Sequence, residues 1–150
     1  MKTFETVAGR KYDIAINIST AKKINARFDV DMVNDVESFV TRLIADSIFM
    51  VDVLYVVCEK QAESYGVNDE EFGEAMAGDV IKIARQALLD GVCDFFPGGD
   101  ERGVVNAAIR RGTELAAMLQ KQMIQIMEET NVDRLAEQLI HGGSSTSVQG

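Results

Sequence analysis

The sequence predicts a mainly α, multi-helix domain with an N-terminal β-hairpin. Three observations carry that prediction. Apolar residues recur at intervals of three and four over about residues 102–128, as on one face of a helix. Two short runs of β-formers flank a glycine near the N-terminus. The chain holds a single proline, Pro97, which argues against a loop-rich all-β design. The reading is one domain over residues 1–141, with the hairpin at about 3–18 and helices at about 20–140, followed by a disordered tail at 142–150.

Thr3–Val7 and Tyr12–Ile18 are the two strands, with Gly9 supplying the positive φ that a tight turn demands. Alternation in the second strand puts Tyr12, Ile14, Ile16 and Ile18 on one face and Asp13 and Asn17 on the other. A lone hairpin is marginal in water, so that face must lie on the helices or on another chain. Ser19 or Thr20 caps a short helix to about Phe28, and Asp29 to Asp31 breaks it. A second helix covers about Val33 to Ala45, carrying Val36, Phe39, Val40 and Leu43 in register.

The run Ile48–Cys58 is apolar except for Asp52. Its β-branched content suits a buried strand as well, but the polar continuation Glu59–Glu63 is strongly helix-forming and favours a helix to about Ser64, capped by Asp46 or Ser47. Gly66 ends it, and Asn68 caps a short helix with Asp69, Glu70 and Glu71 in its first turn. Another helix begins at Gly78 and Asp79, with Val80, Ile83, Ala84, Ala87, Leu88 and Val92 as its stripe, and closes at Phe95, Phe96 and Pro97. The longest helix, from about Arg102 to Glu128, places Val105, Ala108, Gly112, Leu115, Leu119, Met123 and Ile126 on one line. A last short helix covers Val132 to Ile140. The tail is glycine- and serine-rich and has little to bury.

Composition narrows the function classes. Net charge is -9, and residues 21–78 hold twelve acidic against five basic side chains. Such a field repels phosphate backbones and anionic lipid, so neither nucleic acid nor membrane is an expected partner, whereas a basic protein surface is easily accommodated. The run at Ile48 is shorter than the ~20 apolar residues of a membrane span, and Met1 to Thr6 lacks the apolar core of a signal peptide. The expected location is cytoplasmic. Cys58 and Cys93 lie in apolar runs without a CxxC motif and read as small hydrophobes, although their spacing permits a disulfide.

No motif announces catalysis, a metal or a cofactor, and none is expected. The run Asp29 to Asp35 superficially resembles a calcium loop, but Asn34 stands where such a loop needs glycine and Val40 where it needs glutamate; cap chemistry accounts for its aspartates. His141 is the only histidine and has no neighbouring ligand or base. Asp52 reads as the exposed strip of its helix; the sharper alternative is a buried ion pair with Arg85 or Arg42 that fixes helix register. Met118, Ile124 and Met127 widen the apolar stripe beyond what one seam requires, and with Met123 form the best candidate for binding a partner's helices. Methionines also fill cores, and helices of this kind equally suit a homo-oligomer.

The order of segments Phe4–Ile18, Val51–Ala62, Gly66–Asp79 and Ala87–Pro97 resembles the tail assembly chaperone-like proteins of tailed bacteriophages and prophages. The resemblance implies a non-enzymatic protein of the bacterial host's cytoplasm. It would bind the long, aggregation-prone tape-measure protein, keep it soluble for tail assembly, and be absent from the finished particle. No catalytic residue is carried over. The alternative is a structural virion component, a helical head–tail adaptor or tail accessory protein.

Overall fold

The computed structural model describes residues 2–98 and 100–149, and all their side chains except those of residues 132, 133 and 138–149. Two antiparallel strands and six helices appear among them: β1 (Lys2–Glu5), β2 (Lys11–Ile14), α1 (Ile18–Phe28), α2 (Val36–Ala45), α3 (Ser47–Ser64), α4 (Asp69–Glu74), α5 (Asp79–Phe95) and α6 (Asp100–Gln149). The chain divides into two compact units, Met1–Thr113 and Glu114–Gly150, where the sequence reads as one domain over 1–141 with a tail.

In the first unit the centre is α3. Phe49, Met50, Val53, Leu54, Val56, Cys58 and Ala62 are buried, and Val51, Tyr55 and Val57 pack partly against the same core. A helix apolar on most of its circumference has to be surrounded. Elements α1, α2, α4, α5 and β2 all contact it. The helix over Ile48–Cys58 is thus realised, and Asp46 caps it: its carboxylate accepts a hydrogen bond from the Phe49 N–H at 3.0 Å.

Gly9 takes φ 78° in the hairpin turn, as expected. The register pairs Lys2 with Ile14, Thr3 with Asp13, Phe4 with Tyr12 and Glu5 with Lys11. Phe4 stacks on Tyr12 with ring centroids 5.4 Å apart, and Phe72 of α4 meets both rings edge-on. Both strands are shorter than expected: β1 ends at Glu5, where the turn begins, and β2 ends at Ile14 because α1 starts earlier. Asn17 Oδ1, not Ser19 or Thr20, accepts from the helix, taking the Thr20 N–H at 3.0 Å. Ile18 therefore sits on the first turn of α1, exposed, instead of continuing the strand face.

The second helix starts at Val36 and not Val33, because Asp31 holds the intervening residues in a turn. Its carboxylate accepts from the Val33 and Asn34 main-chain N–H groups at 3.2 and 2.9 Å. After α3, Gly66 at φ 71° lets the Val67 N–H reach back to the Ala62 carbonyl at 2.8 Å, and Asn68 caps α4 through the Glu71 N–H at 2.8 Å. On α5 the core face is Ala84, Ala87, Leu88, Gly91 and Val92. Ile83, assigned to that stripe from the sequence, is 55% exposed. The first turns of α6 bury Val105, Ala108 and Gly112.

The second unit is the remainder of α6. Among its described side chains from Glu114 onward none is buried. The expected break near Glu128 is absent, and one helix covers both predicted pieces. Residues 129–131 contain no glycine or proline, and Thr130 turns its hydroxyl back to the Ile126 carbonyl at 2.8 Å instead of capping a new helix. The side chains of His141 and of the predicted tail at 142–150 lie outside the described residues.

Close packing in the first unit gives a direct test. A Cβ on Gly91 would lie 2.7 Å from Ile14 Cγ2, a short, stiff and buried branch. Gly91→Ala gains about 1 kcal/mol in helix propensity but overpacks the joint between hairpin and α5 at a cost of about 1–3 kcal/mol. A net loss of stability is expected in urea denaturation. Gly73→Ala on α4, with nothing within 4 Å of the new methyl, is expected to be neutral or stabilising.

Candidate partner-binding surfaces

The predicted binding residues all fall in the second unit and are solvent-exposed: Met118, Met123, Ile124 and Met127. At about 100° per residue, Met118, Leu115, Ile126, Leu119, Met123 and Met127 follow one another around roughly half of the helix circumference. Ile124 stands beside Met127 at the edge of this face, one helical turn away. Uncharged Gln120 and Gln122 interrupt the apolar surface, while Glu114, Lys121, Gln125 and Glu128 share the opposite strip. Exposure on this face runs from 46% at Leu115 to 64% at Met123. Exposed apolar residues scattered singly need no explanation, whereas these stand together on one face of the helix.

In the first unit, Asp52 lies on the exposed strip of α3, the simpler of the two readings. Neither proposed ion pair forms. Arg85 donates from Nη2 to Ser47 Oγ at 2.6 Å, and the Arg42 guanidinium lies 3.8 Å above the Phe49 ring. Asp52 instead lines a cleft of about 410 Å³ with Ile48, Val51, Met76, Ile81, Asp69 and Glu70. Partial burial, and then the carboxylates of Asp69 and Asp46, push the Asp52 carboxyl above the usual range. Ile48 at the mouth of this cleft is 77% exposed. The sequence places it inside an apolar run, but the Asp46 cap sets it on the outer side of the first turn. A second, more apolar cleft of about 550 Å³ lies between Ile18, Val33, Phe95, Pro97 and Val104.

The remaining candidates resolve into structural roles. Backbone and side-chain hydrogen bonds from Asn34 draw the Asp31 carboxyl below its ordinary value, which is the behaviour of a turn cap. Among the described residues no three His, Cys, Asp or Glu side chains converge to hold a metal ion. Both cysteines are free thiols. Burial, followed by the nearby Asp13 carboxylate, pushes Cys58 up to about 12, so this thiol is an inert part of the core. Cys93 is half-buried and donates to Asn106 Oδ1 at 3.3 Å. No described helix is long and apolar enough to cross a membrane.

One set of contacts gave no signal in the sequence. Gln61 clamps β2 to α3: its Oε1 accepts from the Asp13 N–H and its Nε2 donates to the Asp13 carbonyl, both at 2.8 Å. One turn on, the Tyr65 hydroxyl donates to the Lys11 carbonyl at 2.9 Å. A glutamine on the polar end of a helix has no pattern that could have revealed this.

Comparison with protein-family models, curated proteins and solved structures yields no match.

The Asp52 environment has a pH signature. A carboxyl raised in the folded state costs stability when ionised, and the cost disappears once pH falls below both folded and unfolded values. Asp52→Asn is therefore expected to raise the melting temperature slightly at pH 7, with the gain vanishing as pH drops to about 4 and below. Thermal melts of the two proteins across that range check the sign.

Proposed function

We propose that this chain is a tail assembly chaperone of a tailed phage or prophage, acting without catalysis in the bacterial host's cytoplasm, and that its partner is the tape-measure protein. The observation that supports this reading best is the apolar face of Leu115, Met118, Leu119, Met123 and Met127, held in water on a regular helix. The choice of partner rests on the segments between Phe4 and Pro97 that resemble the chaperone family.

An amphipathic helix from a partner would cover this face as in other helix-in-groove complexes. Full burial of one such side chain is favourable by about 1.5–3 kcal/mol, against an association cost of about 4–15 kcal/mol. Burial of five or six such side chains is of the same order as that cost, so no large excess of affinity opposes the release of cargo that a carrier requires. Unbranched thioethers adapt to different partner side chains, which suits a long and varied client. The net charge of -9 keeps the carrier soluble while its apolar face is open.

Co-expression with the tape-measure product of the same gene cluster, followed by pull-down and size-exclusion chromatography, is expected to give a soluble complex that is absent from purified virions. Changing Met118, Met123 and Met127 together to Glu should weaken that complex by more than about tenfold while leaving the first unit folded, because all three are exposed. No complex, with the chain present in mature particles, contradicts the chaperone reading and favours a head–tail adaptor or tail accessory protein.

A further inference from the structure

The two edges of the hairpin are treated differently. Across the hairpin the Thr6 N–H donates to the Arg10 carbonyl at 3.0 Å. Residues of the same parity, Phe4 and Lys2, therefore turn their main-chain groups toward β2, and the alternate residues turn theirs away. On the β2 side Gln61 takes both outward groups of Asp13, and the Tyr65 hydroxyl takes the outward carbonyl of Lys11. On the β1 side the Val7 N–H is taken by the Ala75 carbonyl at 3.1 Å. Nothing among the described residues meets the outward N–H and C=O of Thr3 and Glu5, and both residues are exposed.

This open edge borders a cleft of about 420 Å³ between Lys2 and Thr3 of β1 and Ile83, Gln86, Ala87 and Asp90 of α5. An unpaired edge beside a helix is the geometry into which an added strand fits. Here it also explains why Ile83 faces water in the single chain, on a helix whose other apolar residues turn inward.

We propose that the β1 edge pairs with the β1 edge of a second copy, antiparallel about a two-fold axis at Phe4, joining the hairpins into one four-stranded sheet. Self-pairing follows from the spacing. The two free residues are two apart, so rotation about Phe4 sets Thr3 of each copy opposite Glu5 of the other. Each such pair exchanges both main-chain hydrogen bonds and satisfies all four orphan groups per chain. Charge selects the same register, since a two-fold axis at Glu5 would set like carboxylates face to face. The added strand fills the cleft and covers Ile83. This inference does not rest on the chaperone reading, because it uses neither the tape-measure protein nor the methionine face.

Sedimentation equilibrium at about 100 µM protein and about 0.15 M salt is expected to show a dimer. Thr3→Pro removes an N–H the single chain does not use and should weaken the dimer about tenfold or more. Ile83→Lys, at an exposed site, should do the same and serves if the proline variant fails to fold. Met123→Lys should leave the dimer intact. In the dimer the Thr3 and Glu5 amides should be protected from hydrogen exchange. A monomer at that concentration overturns the proposal, whether or not the edge accepts a foreign strand. So does a dimer lost with Met123→Lys but kept in both edge variants, or one whose Thr3 and Glu5 amides exchange freely.

Discussion

The first unit depends on the need to surround α3. Eighteen residues from Ser47 to Ser64 form a helix with apolar side chains on most of its circumference, and such a helix is stable in water only when other elements cover it. The hairpin, α1, α2, α4 and α5 provide that cover. Their attachment is partly polar: the Asp46 carboxylate starts α3 at a defined residue, and Gln61 and Tyr65 near its end bind the outer edge of β2. The aromatic cluster of Phe4, Tyr12 and Phe72 then closes the space between hairpin, α3 and α4.

That covering explains where α6 changes character. Up to Gly112 its apolar line is buried; a Cβ at Gly112 would come within 2.8 Å of Ile44 on α2. From Leu115 onward the same three-and-four spacing continues, but the side chains stay in water. A helix face that obeys the core pattern without a core is surplus to the fold, and this surplus motivates a partner. The acidic surface works in the same direction, since like charge keeps separate copies apart except where a directional contact overcomes it.

Local chemistry made much of this legible in advance. Asp46, Asn68, Gly9 and Gly66 each mark an element boundary through one side chain or one positive φ, and each does so in the structure. The first cap was misplaced: Asn17, read from the sequence as part of the strand, caps α1 in place of Ser19 or Thr20, which shortens β2 and exposes Ile18. Ile83 matched the helical period of α5 but lies beside the sheet edge instead of under it, and periodicity carries no information about where a neighbouring element stops. The Asp52 question was decided by partners, since Arg85 is committed to Ser47 and Arg42 to Phe49. The Gln61 clamp joins residues 48 apart in the chain, a tertiary contact with no local trace. For the methionine face the sequence supplied the stripe, and exposure supplied the reason to regard it as more than packing.

The most direct test of this account is residue-resolved hydrogen exchange on the free chain in dilute solution. The amides of Met50 to Ala62 should exchange slowest, only through global unfolding, because all surrounding elements must leave before α3 is exposed. The amides from Leu115 to Glu137 should exchange far faster, through local opening of a helix with no covered face. Equal protection in the two segments would contradict the account, since it would mean that the apolar face of α6 is already part of a core.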